Sequence, residues 1–335
     1  MVERKLEITK KLEALAQTGA LDSSIAILNL PSANYCEKRA ERIYIGQKLQ
    51  QSCFGCVTQR IISNSCLKIE EIKIIIDFFI QKYGTQFITI NGRGDPFHPR
   101  LKEDNLEKIR YAYSQYGVQA YVFTAGDNLD EKTCQTLADC EANIMISLFG
   151  NGFIDAGFFK GQEYPTSTRP LQNQAEIAQN LRRLISIYKL RLNQPEEGTT
   201  RLGMNYVVSE GDLIDSGAKL KALKQATNDS GIFFVVNTNF QKHPDYETQR
   251  IFEEHAYEYS DFHLRHSTFV NGQCQMGAGS SATLDFDGML LRCPYMDNAE
   301  GNGRFQNLSL ERVKEILKGY MEDRSYPCVM RKHKK

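Results

Sequence analysis

Apolar residues along this chain follow two alternating rhythms. Short runs rich in Ile, Leu, Val and Phe predict six strands: SIAILNLP (24–31), QFITING (86–92), VQAYVFTAG (118–126), NIMISLFG (143–150), RLGMNYVVSEG (201–211) and GIFFVVNTNF (231–240). Between them the apolar positions recur at helical spacing. Over 68–84, Ile69, Ile72, Ile76, Phe79 and Ile80 mark one helix face, and Gly84 supplies a stop. Further helices are predicted over 105–117, 129–142, 173–192, 214–228 and 247–259. The one at 129–142 carries acids in its first turn, where they complement the helix dipole.

Short apolar strands between amphipathic helices indicate parallel βαβ units. Six units over 23–262 predict an α/β fold, a partial (βα)6 TIM-like barrel rather than a closed eight-stranded one. Residues 1–22 form a charged N-terminal helix with a rough stripe of Leu6, Leu12 and Leu15. After residue 262 the alternation stops. Within 263–335, ATLDFDGMLLRC predicts a β-hairpin turning at Asp287-Gly288. This C-terminal extension is too short for a large core of its own, a situation in which a metal staple helps.

Charge narrows the partners. Lys+Arg and Asp+Glu both count 41, so there is no basic excess for nucleic acid, and no basic amphipathic segment for a membrane surface. The terminal RKHKK reads as a solvated end. No unbroken apolar core of a signal peptide precedes the first strand, and no run reaches membrane-spanning length. The protein is expected to be cytoplasmic.

Nine cysteines in a reducing compartment change the picture, because clustered thiols there favour metal or redox chemistry over disulfides. Cys36, Cys53 and Cys56 follow the first predicted strand directly, at the strand end where barrels place their chemistry. A structural zinc site closes its shell with four ligands, and none of the six histidines lies near this loop. A four-iron cluster held by three thiolates keeps one iron open for a small chelating molecule. Taken alone, the Cys53-Phe54-Gly55-Cys56 pair also fits a redox dithiol or half a zinc site. Cys134 and Cys140 lie on one helix and point in different directions, as packed thiols do. Cys66 is either a packed thiol or a hydrogen-atom donor, and His98 reads as a loop residue.

These features resemble the radical S-adenosylmethionine (SAM) family over roughly residues 24–330. The resemblance implies that Cys36, Cys53 and Cys56 hold a [4Fe-4S] cluster whose open iron binds SAM. Gly92-Arg93-Gly94-Asp95-Pro96 resembles the family's Gly-Gly-Glu-Pro segment, where backbone and acid receive the SAM amino group; by itself it is also an ordinary turn composition. Thr124-Ala125-Gly126 resembles a Thr-Asn-Gly turn, and Ser147 stands where relatives contact the ribose. Gly203, Asn205, Val207 and Glu210 loosely match a segment lining the adenine. The cysteine spacing departs from the family: sixteen residues separate Cys36 from Cys53 instead of three. That indicates an insertion within the motif, or else that Leu49 replaces a cysteine and the cluster is absent.

In the extension, Cys274, thirteen residues, Gly288, four residues and Cys293 resemble the start of a twitch or SPASM auxiliary-cluster motif. The resemblance implies a second iron–sulfur cluster near the substrate on Cys274, Cys293 and Cys328. Its fourth site is open or filled by His263, His266, His333 or an earlier cysteine. The implied activity is reductive cleavage of SAM followed by hydrogen-atom abstraction from a substrate. A small molecule is favoured, with oxidation or rearrangement as the outcome. Peptide maturation and epimerisation are alternatives. An external donor such as flavodoxin or ferredoxin would supply electrons. The competing class is a non-catalytic binding protein stapled by zinc.

Overall fold

The computed structural model describes residues 25–32, 35, 42–45, 48–51, 67–91, 94–149, 174–191, 202–208, 217–237, 245–261, 281–294 and 301–322. The expected N-terminal helix lies outside them, as do Cys36, Cys53, Cys56, Cys66, Gly92, Cys274, Cys328, His263, His266 and His333.

The strands are β1 (Ile27–Asn29), β2 (Arg42–Ile45), β3 (Lys48–Gln51), β4 (Phe87–Ile90), β5 (Gln119–Thr124), β6 (Asn143–Phe149), β7 (Leu202–Val207), β8 (Phe233–Asn237), β9 (Ser281–Leu284) and β10 (Leu290–Leu291). The helices are α1 (Ile69–Tyr83), α2 (Lys102–Tyr116), α3 (Glu131–Asp139), α4 (Gln174–Arg191), α5 (Ala218–Asp229), α6 (Tyr246–Tyr259) and α7 (Leu310–Glu322). Eight strands form one sheet in the order β10-β9-β1-β4-β5-β6-β7-β8, so it is not closed among the described residues. Every pairing in it is parallel except β9 with β10.

From β1 to β8 each new parallel strand joins the same side of the last. Right-handed crossovers in that order place the connecting helices on one face. Residues pointing to that face are fully buried, among them Leu28, Ile88, Val122, Ile144, Met204 and Phe234. Their alternates Phe87, Thr89, Tyr121, Phe123, Ser147 and Asn205 are only half-buried. The period of two along each strand therefore separates a helix-packed face from a second face that carries the polar residues.

Helix α1 shows how local sequence sets this layer. Ile72, Ile75, Ile76, Phe79 and Tyr83 are its buried stripe. The Lys68 backbone N–H donates to Glu71 Oε2 at 2.7 Å at the start of the helix. At its end Gly84 takes φ 61°, and its N–H reaches the Ile80 carbonyl at 3.1 Å. A side chain would strain that left-handed cap. Burial of Phe79 alone contributes about 1.5–3 kcal/mol.

Two arrangements extend the sequence reading. Within the long Cys36–Cys53 spacing stands an antiparallel hairpin, β2–β3, with Arg42 opposite Gln51 and Ile45 opposite Lys48, apart from the main sheet. Leu49 lies inside β3, opposite Tyr44. The C-terminal segment also does more than follow the last helix. β9 pairs in parallel with β1, Ile27 opposite Ser281 and Asn29 opposite Thr283. Asn29 Nδ2 secures the junction by donating to the Ala282 carbonyl at 3.1 Å. The sheet therefore holds the six expected barrel strands and, beside β1, the antiparallel pair β9–β10 from the C-terminal segment.

Candidate functional site

The chain crosses the C-terminal ends of β1, β4 and β5 in three loops, and hydrogen bonds tie them together. Asp95, 8% exposed, is central. Its backbone N–H donates to the Tyr35 carbonyl at 2.8 Å, linking the loop after β4 to the residue that precedes Cys36. Its carboxylate accepts from the Phe97 N–H at 2.9 Å, the Ala125 N–H at 2.7 Å and the Thr124 hydroxyl at 3.0 and 3.1 Å. An ionised carboxylate offers about four acceptor directions, so most of this capacity is used within the protein. Asp95 thus joins the loop after β4 to the end of β5.

Glycines fit these turns for steric reasons. Gly94 takes φ 63° and Gly126 φ 91°. A Cβ on Gly126 would also stand 3.2 Å from Ile177 and 3.3 Å from Ile146. The Gly126 N–H donates to Thr124 Oγ1 at 3.1 Å, and its carbonyl accepts from Asn180 Nδ2 on α4 at 2.9 Å. Hence Thr124-Ala125-Gly126 is held from both sides.

Tyr35 stacks on His98 with ring centres 5.5 Å apart and 24° between planes. The Arg100 guanidinium lies 5.1 Å from the Tyr35 ring centre. The Arg100 backbone N–H donates to His98 Nδ1 at 3.3 Å, so that nitrogen is the acceptor of the ring. On the sequence His98 read as a loop residue; here it packs against the side chain next to Cys36. Asn105, at the start of α2, adds a second tie: its Nδ2 donates to Ser32 Oγ at 2.7 Å and to the Pro96 carbonyl at 2.8 Å.

The other expected cofactor residues gather further along the sheet. Ser147 and Asn205 are paired across β6 and β7, and Asn205 Nδ2 donates to Ser147 Oγ at 3.1 Å. Val207 lies two residues beyond Asn205 on the same face and is half-buried. Gly203, two residues before Asn205, makes room for a neighbour. A Cβ there would stand 2.6 Å from Met145 Sδ and 3.2 Å from Phe233 Cβ. The structure therefore brings Gly94, Asp95, Pro96 and Thr124 together with Tyr35, and brings Ser147 together with Asn205.

Of the expected auxiliary ligands, Cys293 is described. It is buried, as are Cys134 and Cys140. Burial pushes Cys134 up to about 12 and raises Cys140, as suits packed thiols. Cys293 follows β10, which runs antiparallel to β9 and so leads away from the Asp285–Met289 turn. Its neighbour Arg292 is buried and donates to the Tyr320 and Gly319 carbonyls, both at 3.2 Å, anchoring the end of α7 beside it. The Leu67 N–H, one residue after Cys66, donates to the Phe286 carbonyl at 2.8 Å. Among the described residues no group of three or more His, Cys, Asp or Glu could hold a metal ion. None of the described helices is long and apolar enough to cross a membrane.

Ser32, Tyr35, His98 and Asn105 carry no motif. Their signal is spatial, arising only when the three loops meet.

No protein-family model and no curated protein matches the chain. Solved structures do. Native anSMEcpe with bound AdoMet aligns with a TM-score of 0.55 at 11% identity, over 90% of this chain and 84% of that one. The same protein with bound AdoMet and Cp18Cys peptide aligns with a TM-score of 0.51 at 12% identity, over 88% and 81%. At such identities the likeness is one of fold: this chain has the α/β architecture of anSMEcpe across most of both lengths.

Proposed function

We propose that the protein is a radical SAM enzyme that cleaves SAM reductively and removes a hydrogen atom from its substrate. The observation that carries this reading is the bond from the Asp95 N–H to the Tyr35 carbonyl. It ties the residue before Cys36 to the Gly-rich segment after β4, on a fold shared with a protein solved with AdoMet. The β2–β3 hairpin supports the fit. Antiparallel partners lie about 4.5–5.5 Å apart, so Arg42 and Gln51 bring the chain back to where it left. The chain left to span is then shorter than the spacing suggests: Arg42 stands six positions after Cys36, and Gln51 two before Cys53.

Cys36, Cys53 and Cys56 would hold a [4Fe-4S] cluster. When bound, cluster and SAM together supply one-electron cleavage of a carbon–sulfur bond and a 5′-deoxyadenosyl radical. The chain's own residues bind, orient and shield. Backbone groups of the 92–96 segment would receive the SAM amino group, and Asp95 ties its own stretch of that segment to the end of β5 through Thr124 and Ala125. Ser147 and Asn205 would present a hydroxyl and an amide to the ribose, and Val207 would line the adenine. The half-buried second face of the partial barrel encloses the reacting carbon. Cys274, Cys293 and Cys328 in the C-terminal twitch- or SPASM-like extension would hold a second iron–sulfur cluster, and a flavodoxin or ferredoxin would supply electrons. A small-molecule substrate undergoing oxidation or rearrangement is the first reading. A peptide substrate is the second, because a protein of this fold has been solved with a bound peptide.

Anaerobic purification with iron, sulfide and zinc analysis tests the class. A brown, iron-bearing protein that forms 5′-deoxyadenosine from SAM on reduction is expected. Replacing Cys36, Cys53 and Cys56 together with Ala should leave iron only at the second site. A colourless protein carrying zinc would overturn the proposal and favour the stapled binding protein.

A further inference from the structure

Asn105 is 1% exposed and lies one turn into α2, a helix whose start faces the strand ends. Its amide makes three contacts. Nδ2 donates to Ser32 Oγ at 2.7 Å and to the Pro96 carbonyl at 2.8 Å, and Oδ1 accepts from Lys108 Nζ at 2.9 Å. Lys108 is itself buried, at 6% exposure. An ammonium can only donate and a proline carbonyl can only accept, so these neighbours allow one orientation of the amide. Both N–H groups therefore point at the loops, one at the segment leading to Cys36 and one at the segment containing Gly94 and Asp95. Ser32 is 2% exposed, so bulk solvent does not reach it to replace this partner.

We propose that Asn105, oriented by Lys108, is a positioning residue for SAM: it sets the separation between the cluster loop and the Gly-rich loop. The proposal rests on the radical SAM reading. Asp95 and Tyr35 join the same two loops through backbone atoms. The Asn105 amide adds a side-chain hydrogen-bonded tie beside the ring contacts of Tyr35 with His98 and Arg100, and substitution can remove it without replacing any expected cofactor residue. It needs an Asn. Asp at this position keeps the shape but turns an oxygen toward the Pro96 carbonyl, and Ala takes the donor from Ser32 and Pro96 and one acceptor from Lys108.

The test compares wild type with Asn105→Asp, Asn105→Ala and the milder Ser32→Ala. In the protein without cofactor, amide hydrogen exchange should rise in the peptides carrying Ser32 and Asp95 and stay unchanged in β6, β7 and β8. In the reconstituted protein, iron content should hold while SAM binding, followed by the change it causes in the electron paramagnetic resonance of the reduced cluster, weakens about tenfold in Asn105→Asp and less in Ser32→Ala. Unchanged exchange, unchanged SAM affinity, or loss of affinity only in proportion to lost iron would overturn the proposal. A wild-type protein that binds no iron would overturn the radical SAM reading instead, and the exchange result would still report on the tie itself.

Discussion

Asn205 Nδ2 donates to Ser147 Oγ at 3.1 Å across adjacent parallel strands, in direct register. The bond leaves the serine hydroxyl its own proton to donate and turns the two side chains into one polar unit on the half-buried face. If that unit meets the SAM ribose, Ser147→Ala and Asn205→Ala should each raise the KM for SAM by about three- to tenfold, the worth of a single hydrogen bond. The double variant should be little worse than either single one, because partners in one bond are not additive. Rates of 5′-deoxyadenosine formation at graded SAM check this.

Asp95 should matter to stability before it matters to activity. Asp95→Ala removes the acceptor of Phe97, Ala125 and Thr124 together, in a site only 8% exposed. A loss of about 2–4 kcal/mol is expected from several buried donors left without a partner. Chemical denaturation of the apoprotein measures it, and a midpoint equal to wild type would remove Asp95 from its place as a tie.

Acid should act through the cap of α3. Asp130 accepts from the Thr133 N–H at 2.8 Å and from Lys102 Nζ at 2.5 Å. Burial pulls its carboxyl upward, but these hydrogen bonds outweigh it and hold it down at about 2. A depressed carboxylate stabilises the fold above its unfolded value and loses that contribution as pH falls through its folded one. The difference between wild type and Asp130→Ala should be about 1 kcal/mol at neutral pH, as for other N-caps. It should hold down to about pH 4 and vanish towards pH 2. Because Asp130 is more than half exposed, no larger effect is expected from the ion pair.

Thiol labelling should separate the cysteines. With burial pushing Cys134 up to about 12, its thiolate fraction near pH 8 is on the order of one in ten thousand. It should resist alkylation in the native protein and react only on unfolding. Mass spectrometry of peptides labelled with and without denaturant reads this directly.

Gly203→Val should be destabilising by about 1–3 kcal/mol, the usual effect of overpacking. Met145 Sδ and Phe233 Cβ already occupy the space its side chain would take. Thermal unfolding of the apoprotein checks it.

The parallel strands were legible because each is a short apolar run bounded by turns, as in FITI and FFVVN. Helix stops at Gly84 and Gly117 were legible because a left-handed cap favours glycine. The place of β9 was not, since its SATL sequence would suit many edges and nothing local names Ile27 as its neighbour. The hairpin at 42–51 was read only as an insertion, because the flanking cysteines dominated that stretch. Asp95 was legible as a motif residue, but its bonds to Thr124 and Ala125 were not. Ser32 and Asn105 are common polar residues whose meaning depends on a neighbour 73 positions away.

The parallel pairing of β1 with β9 has a consequence for synthesis. Asn29 and Ala282 are 253 positions apart, so the first strand waits for nearly the whole polypeptide before its outer edge is covered. Until the ribosome has released Ser281–Leu284, the backbone of β1 offers unpaired amides and carbonyls to any other nascent chain. A premature stop just after α6 would yield a product prone to self-association, however well its central strands assemble. Covering that edge can follow only after every strand from β4 to β8 has been synthesised.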